Sequence, residues 1–271
     1  MNNDSPQKAL LVIFLVALVC SILVSVAAIS LRPIQLRNQV VERSRNIVAL
    51  SGLVEPDEKL STDEILAAVE QLDARVIDID SGEFEDSLDA NEFDPRAAVN
   101  DAELGTAIPD GEDGASLGRR SRYEIVHLVW VGDELQRVIL PIVGQGMWST
   151  LYGYIALEAD LNTIAAVSFY EQAETAGLGD QITRPDWQAK WAGRELFGSD
   201  GSARFRVAAG PVDAGSSAAR HQVDGLTGAT VTGNSVTRLV AYWFGPHGYA
   251  SFLDNLRIRP PVRVAKEGGQ E

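Results

Sequence analysis

Cysteine is all but missing from this chain. Cys20 stands alone among 271 residues, which excludes an intrachain disulfide and any metal site built on thiolates. Histidine is nearly as scarce: His127, His221 and His247 share no metal-ligand spacing, so no metal is expected. Basic residues are the third shortage, with 23 Lys and Arg against 38 Asp and Glu and a formal charge of -15. Nucleic-acid binders carry basic faces, so nucleic acid is excluded as a partner. Docking onto anionic lipid through a polybasic patch is disfavoured for the same reason. Three motifs are also wanting. No G-x-G-x-x-G follows a strand pattern, so there is no nicotinamide site of the usual kind. "PDGEDGASLGRR" (109–120) lacks the Gly-Lys-Ser/Thr of a phosphate loop. A Ser-His-Asp hydrolase finds no Gly-x-Ser-x-Gly elbow, the strand-to-helix turn such enzymes require.

What is present begins with an uncharged run, Ala9–Leu31, made mostly of Leu, Val, Ile and Ala. At ~1.5 Å per residue, a helix of that length crosses a ~30 Å hydrocarbon core. A cleavable signal peptide would have an apolar region of only about 7–15 residues, so the run is read as one uncleaved span. Ser5 is placed to cap it and Pro6 to open its first turn. Lys8 precedes the span, whereas Arg32, Arg37, Arg43 and Arg45 follow it. The positive-inside rule taken alone would therefore hold the large domain in the cytoplasm.

Beyond the span, "VVERSRNIVALSGLV" (40–54) keeps a helical apolar pattern that Gly52 should stop. Ser61 and Glu64 stand at capping-box spacing before a further helix. "RVIDIDSGEF" alternates like a strand entering a turn. It leads into residues 78–113, which hold thirteen Asp and Glu but one base, Arg96. No D-x-[DN]-x-[DN]-G pattern occurs there, and the stretch is read as a solvated acidic insertion. "YEIVHLVWV", "QRVILPIV", "LYGYIALEAD" and "IAAVSFYEQ" then read as strands joined by short turns, which implies antiparallel pairing. "DWQAKWAGRELFG" is predicted as an amphipathic helix ending at Gly198 and "ARFRVAAG" as another strand. "NSVTRLVAYWFG" is predicted as a helix beginning near Asn234 and stopped by Gly245-Pro246. The class is α+β, one N-terminal transmembrane helix followed by a domain with a mostly antiparallel sheet.

One loop stands out chemically. "VDGLTGATVTGNSV" (223–236) has no aromatic residue and a single charge, Asp224. A helix follows it, and helix N-termini favour anions. Gly225, Gly228 and Gly233 would allow close backbone approach, and Thr227, Thr230 and Thr232 supply hydroxyls. The pattern suits a loop that binds or accepts a phosphate.

Within that loop, "DGLTGAT" (224–230) closely resembles the flavinylation motif Asp-x-x-(Ser/Thr)-Gly-Ala-Thr of the FMN-binding domain family. The resemblance implies covalent FMN, joined by a phosphoester to Thr230, with Asp224, Thr227, Gly228 and Ala229 as the rest of the motif. A flavin transferase would make that bond. "ETAGLG" (174–179) resembles the family's Glu-Thr-Pro-Gly-Leu-Gly, which lies against the isoalloxazine ring. That similarity carries over Glu174, Thr175, Gly177, Leu178 and Gly179, with Ala176 in place of the proline. "GQGMWSTLYGYIAL" (144–157) is similar to a stretch typical of one branch, the C subunits of the sodium-translocating NADH:quinone oxidoreductases. Trp148 fits either a seat beside the flavin or a place in the core.

The likeness to that branch extends over the anchor, "RNIVALSGL", "SGEF" and nearly all of 123–257. It implies a cytoplasmic tail (1–8), a transmembrane helix (9–31), a juxtamembrane helix and linker (32–60), and a segment with helix, strand and acidic insertion (61–122). The FMN-binding domain (123–257) and a C-terminal tail (258–271) would follow. It further implies an electron-transfer subunit, inactive alone, with its large domain in the periplasm and its anchor in the bacterial inner membrane. Such a subunit takes electrons from an iron–sulfur centre and passes them to a second flavin on another subunit, towards quinone, coupled to sodium export. Two other readings share some features. One is the G subunit of the related ferredoxin:NAD oxidoreductase complex; the other is a non-redox periplasmic adaptor whose Gly-Thr loop is structural.

Overall fold

The structure is a computed structural model describing residues 6–54 and 60–263. Ser5, with most of the expected N-terminal tail, part of the linker (55–59) and the end of the C-terminal tail (264–271) lie outside the described residues. The chain divides between Ser44 and Arg45 into two units. The described residues of the first belong to α1 (Pro6–Ser51). Its most apolar window has a mean hydropathy of 3.1 and no buried part, so α1 is long and apolar enough to cross a membrane. No break separates the apolar run from the juxtamembrane segment. Pro33 sits inside the helix, which continues to Ser51, and Gly52 at φ +70° ends it as expected.

In the second unit, α2 (Thr62–Gln71) starts at the predicted box. Ser61 Oγ accepts from the Glu64 amide at 3.3 Å, and Glu64 Oε2 accepts from the Ser61 amide at 2.8 Å. The main sheet comprises β1 (Asp73–Asp78), β4 (Tyr123–Val131), β5 (Glu134–Gln145), β6 (Thr150–Glu158) and β7 (Ile164–Glu171), antiparallel in that spatial order. Between β1 and β4 the acidic insertion forms turns, α3 (Pro95–Ala98) and a ribbon of β2 (Gly105–Ala107) and β3 (Arg119–Ser121). Residues 114–118 do spell Gly-Ala-Ser-Leu-Gly. They lie in a turn between β2 and β3, with no helix after the serine, so they form no nucleophile elbow.

Alternation along the strands divides the side chains between two cores. Val126, Leu128, Val138, Leu140, Ile155 and Leu157 face one way, where α5 (Thr230–Trp243) and α6 (Ala250–Ile258) cover them through Val236, Leu239, Phe252 and Leu253. Val129, Ile139 and Ala156 face the other way, onto Ile47 and Leu50 of the end of α1 and Leu72. Trp243 Nε1 donates to the Val143 carbonyl at 2.6 Å, fixing α5 to β5.

Two predicted elements are replaced. "DWQAKWAGRELFG" supplies only α4 (Pro185–Gln188) and a 3-10 turn, Ala189–Trp191. Gly193 then turns at φ +76°, and the Ile164 amide donates to the Arg194 carbonyl at 2.7 Å. Backbone pairing with the sheet edge, together with burial of Trp187, Trp191 and Leu196, overrides helix propensity. "ARFRVAAG" contributes only β8 (Arg206–Val207), paired in parallel with β9 (Gln222–Val223).

Candidate functional site

The β5–β6 turn (146–149), the segment after β7 and the loop before α5 meet beside the sheet. The helix starts four residues earlier than predicted, so Thr230 is its first residue and is exposed. A Cβ on Gly233 would lie 3.3 Å from Val207 Cγ1, so the missing side chain lets α5 pack on β8. Gly225 makes room for the Ala208 carbonyl oxygen, which would lie 2.4 Å from a Cβ there. Ala229 precedes the helix with no side-chain cap. The first backbone N–H groups of a 14-residue helix are left to an external acceptor.

The three threonines separate by environment. Thr227 is exposed, and its carbonyl accepts from Gln181 Nε2 at 3.0 Å. Thr232 is 1% exposed, inside the helix, and its hydroxyl donates to Glu174 Oε2 at 2.7 Å. It does not cap the helix and offers no free hydroxyl. Thr230 alone combines exposure with the helix start.

In the second motif, Glu174 turns inward and is 8% exposed. Thr175 is exposed, and its carbonyl accepts from the Leu178 amide at 3.0 Å. Gly177 holds φ +76°, closing a tight turn that L side chains resist. Leu178 stays 42% exposed, and Gly179 packs under the Glu174 side chain. Trp148 is 65% exposed at the tip of the β5–β6 turn, which removes the core reading.

Thr230 and Asp224 line a cleft of about 470 Å³ together with Arg184, Trp187, Lys190 and Pro211. That volume lies in the range of small-molecule sites, ~300–1,000 Å³. Both carboxylate oxygens of Asp224 are hydrogen-bonded. Its Oδ2 accepts from Lys190 Nζ at 2.8 Å, its Oδ1 from the Val212 amide at 2.7 Å, and its carbonyl from Trp187 Nε1 at 2.9 Å. The Lys190 hydrogen bond, then that of Val212, holds its carboxyl below the usual aspartate range. Asp224 thus ties together two parts of the chain beside the cleft, Lys190 and the Val212 backbone. Trp187 and Lys190 went unread in the sequence because they belong to the segment predicted as a regular helix, and Arg184 lies just before it.

The β5–β6 turn, the loop after β7, the cleft and α5 all fall within residues 146–245, which match the FMN-binding domain family, so the fold and site are those of an FMN-binding domain. Over the whole chain the similarity is more particular. The C subunit of the Na(+)-translocating NADH-quinone reductase of Pseudomonas aeruginosa is 43% identical over 257 residues, covering 94% of this chain and 98% of that one. The corresponding C subunit of Vibrio anguillarum is 39% identical over 256 residues, covering 94% and 97%. The crystal structure of Shewanella oneidensis NqrC superimposes with a TM-score of 0.72 at 31% identity, over 82% of this chain and 98% of that one. This chain belongs to the family of C subunits of Na(+)-translocating NADH-quinone reductases.

Proposed function

We propose that Thr230 carries FMN in a phosphoester bond and that the chain relays electrons within a membrane NADH:quinone oxidoreductase that exports sodium. In this reading the electrons arrive from an iron–sulfur centre and leave to a second flavin on another subunit. The observation that carries it is the placing of an exposed threonine hydroxyl on the first, uncapped residue of α5, within a cleft of ligand size. The residues present suit the group. Backbone N–H groups at the helix start and the charge of Arg184 favour a phosphodiester, while Lys190 is already paired with Asp224. Leu178 and Trp148 offer exposed apolar surface to a planar ring.

Bound FMN supplies the reversible uptake and release of electrons. The chain's own part is to anchor, orient and shield. Lys190 balances Asp224 so that the cleft keeps its shape, and Gln181 holds the loop through the Thr227 carbonyl. A flavin transferase acts on the loop during maturation, and the other subunits of the complex are the working partners. We place the large domain on the periplasmic side of the bacterial inner membrane, where a covalent tether suits a compartment without a free FMN pool. Large domains translocate largely regardless of flanking charge, so the arginines after the span do not oppose this.

Mass spectrometry of the tryptic peptide containing Thr230 tests the reading. The FMN mass should sit on that residue; an unmodified peptide from the assembled complex would overturn it.

A further inference from the structure

Glu174 joins three segments. Its Oε1 accepts from the backbone amides of Trp148 at 2.9 Å and Ser149 at 3.3 Å, and its Oε2 accepts from the Thr232 hydroxyl at 2.7 Å. The Ala173 amide reinforces the link by donating to Ser149 Oγ at 2.7 Å. Among the described residues no cation takes part in these bonds, so this buried carboxylate rests on N–H and O–H donors. Two glycines are explained by it. A Cβ on Gly146 would lie 2.6 Å from Glu174 Oε1, and one on Gly179 would lie 2.8 Å from both Glu174 Oε2 and Thr232 Oγ1.

The same segments carry exposed apolar side chains. Met147 and Trp148 stand on the β5–β6 turn, Leu178 on the loop after β7, and Val231 beside Thr230 on α5; their exposures run from 42% to 65%. Large apolar groups gathered on the surface mark a binding face. Loops hold such a face in one arrangement only where something ties them.

We propose that Glu174 and Thr232 form a buried clasp that fixes the β5–β6 turn and the loop after β7 against α5, and so orients the apolar face beside Thr230. Both are positioning residues. The occupant of that face is the planar ring of the flavin, so this inference rests on the reading of Thr230 given above. Thr232 lies in the first turn of α5, where a nearby carboxylate is also favoured by the helix dipole.

The test uses the full-length chain in detergent. Thr232→Val keeps the shape but cannot donate, and Glu174→Ala removes the acceptor. Thr232→Ser should keep the bond, and Glu174→Gln should keep the link in the reverse sense, its oxygen accepting from the Trp148 and Ser149 amides and its nitrogen donating to Thr232 Oγ1. Amide hydrogen exchange is read at Trp148 and Ser149 in flavin-free protein carrying Thr230→Ala, and visible circular dichroism in flavin-loaded protein. We expect exchange at least tenfold faster in Thr232→Val, with half or more of the flavin signal lost and Thr232→Ser close to wild type. If Glu174→Ala fails to fold, Thr232→Val carries the test. Exchange and dichroism at wild-type values in Thr232→Val would overturn the clasp. A wild-type peptide without flavin on Thr230 would instead overturn the site reading, leaving exchange to decide the clasp alone.

Discussion

Leu178 lies against the backbone of Gly228, so closely that a Cβ on the glycine would sit 2.9 Å from Leu178 Cδ2. The two family motifs, fifty residues apart, are therefore one surface. Gly228 also holds φ +75°, so a side chain there meets both strain and a neighbour. Gly228→Ala should cost about 1–3 kcal/mol in urea unfolding and reduce flavin attachment. Unchanged stability would show that neither the positive φ nor the Leu178 contact resists a side chain at this position.

The threonines should respond in opposite ways. Thr230→Ala removes an exposed hydroxyl and should change stability by less than about 0.5 kcal/mol, while abolishing covalent flavin. Thr232→Ala leaves Glu174 Oε2 short of its hydroxyl donor and should cost about 1–3 kcal/mol. That cost follows from its burial, at 1% exposure, against the carboxylate. A flavin mass that persists in Thr230→Ala and vanishes in a folded Thr232→Ala would reassign the acceptor.

Asp224 gives the cleft an acid limit. Its folded-state pKa is lowered, first by Lys190 and then by the Val212 amide, against about 3.9 in an unfolded chain. The stabilisation is therefore complete above about pH 4 and is lost as the pH falls through the folded value. Asp224→Asn should flatten the acid limb of a plot of stability against pH. An acid limb identical to wild type would exclude this carboxylate as its source.

Glu124, on β4 opposite Ile77, works in the other direction. Burial pushes its carboxyl up to about 8, against the pull of Arg120 and Arg96. The native state keeps the proton where an unfolded glutamate, near pKa 4.3, would release it. Stability should then decline as the pH rises from about 4.3 towards 8 and level off above. Glu124→Gln should remove that slope and exceed wild type in thermal stability at about pH 8 but not at about pH 4. Parallel curves for the two proteins across this range would refute the assignment.

Topology has a direct check. A C-terminal reporter active only in the cytoplasm should stay silent, and an active one would return the domain to the side that the arginines after Leu31 favour.

Local signals were legible wherever one element decided its own conformation. The capping box at Ser61 and Glu64 needs only its own backbone. The strands β4–β7 announce themselves because alternate residues face alternate cores. The segment from Trp187 to Phe197 misled because its apolar residues are spaced for a helix, yet they are buried from an irregular chain paired to the sheet edge. Periodicity reports which residues are apolar, not which backbone will carry them inward.

The sequence by itself determined the apolar helix, the antiparallel core and the threonine motif, since each is written in neighbouring residues. Only the tertiary structure decided that Thr232 is sealed against Glu174 while Thr230 stays open, and that Asp224 belongs to Lys190 and Val212. Those roles depend on partners 34, 12 and 58 residues away in the chain. Spacing along a loop cannot tell a hydroxyl facing solvent from one facing a buried carboxylate, because that difference arises only when the sheet and α5 bring distant segments together.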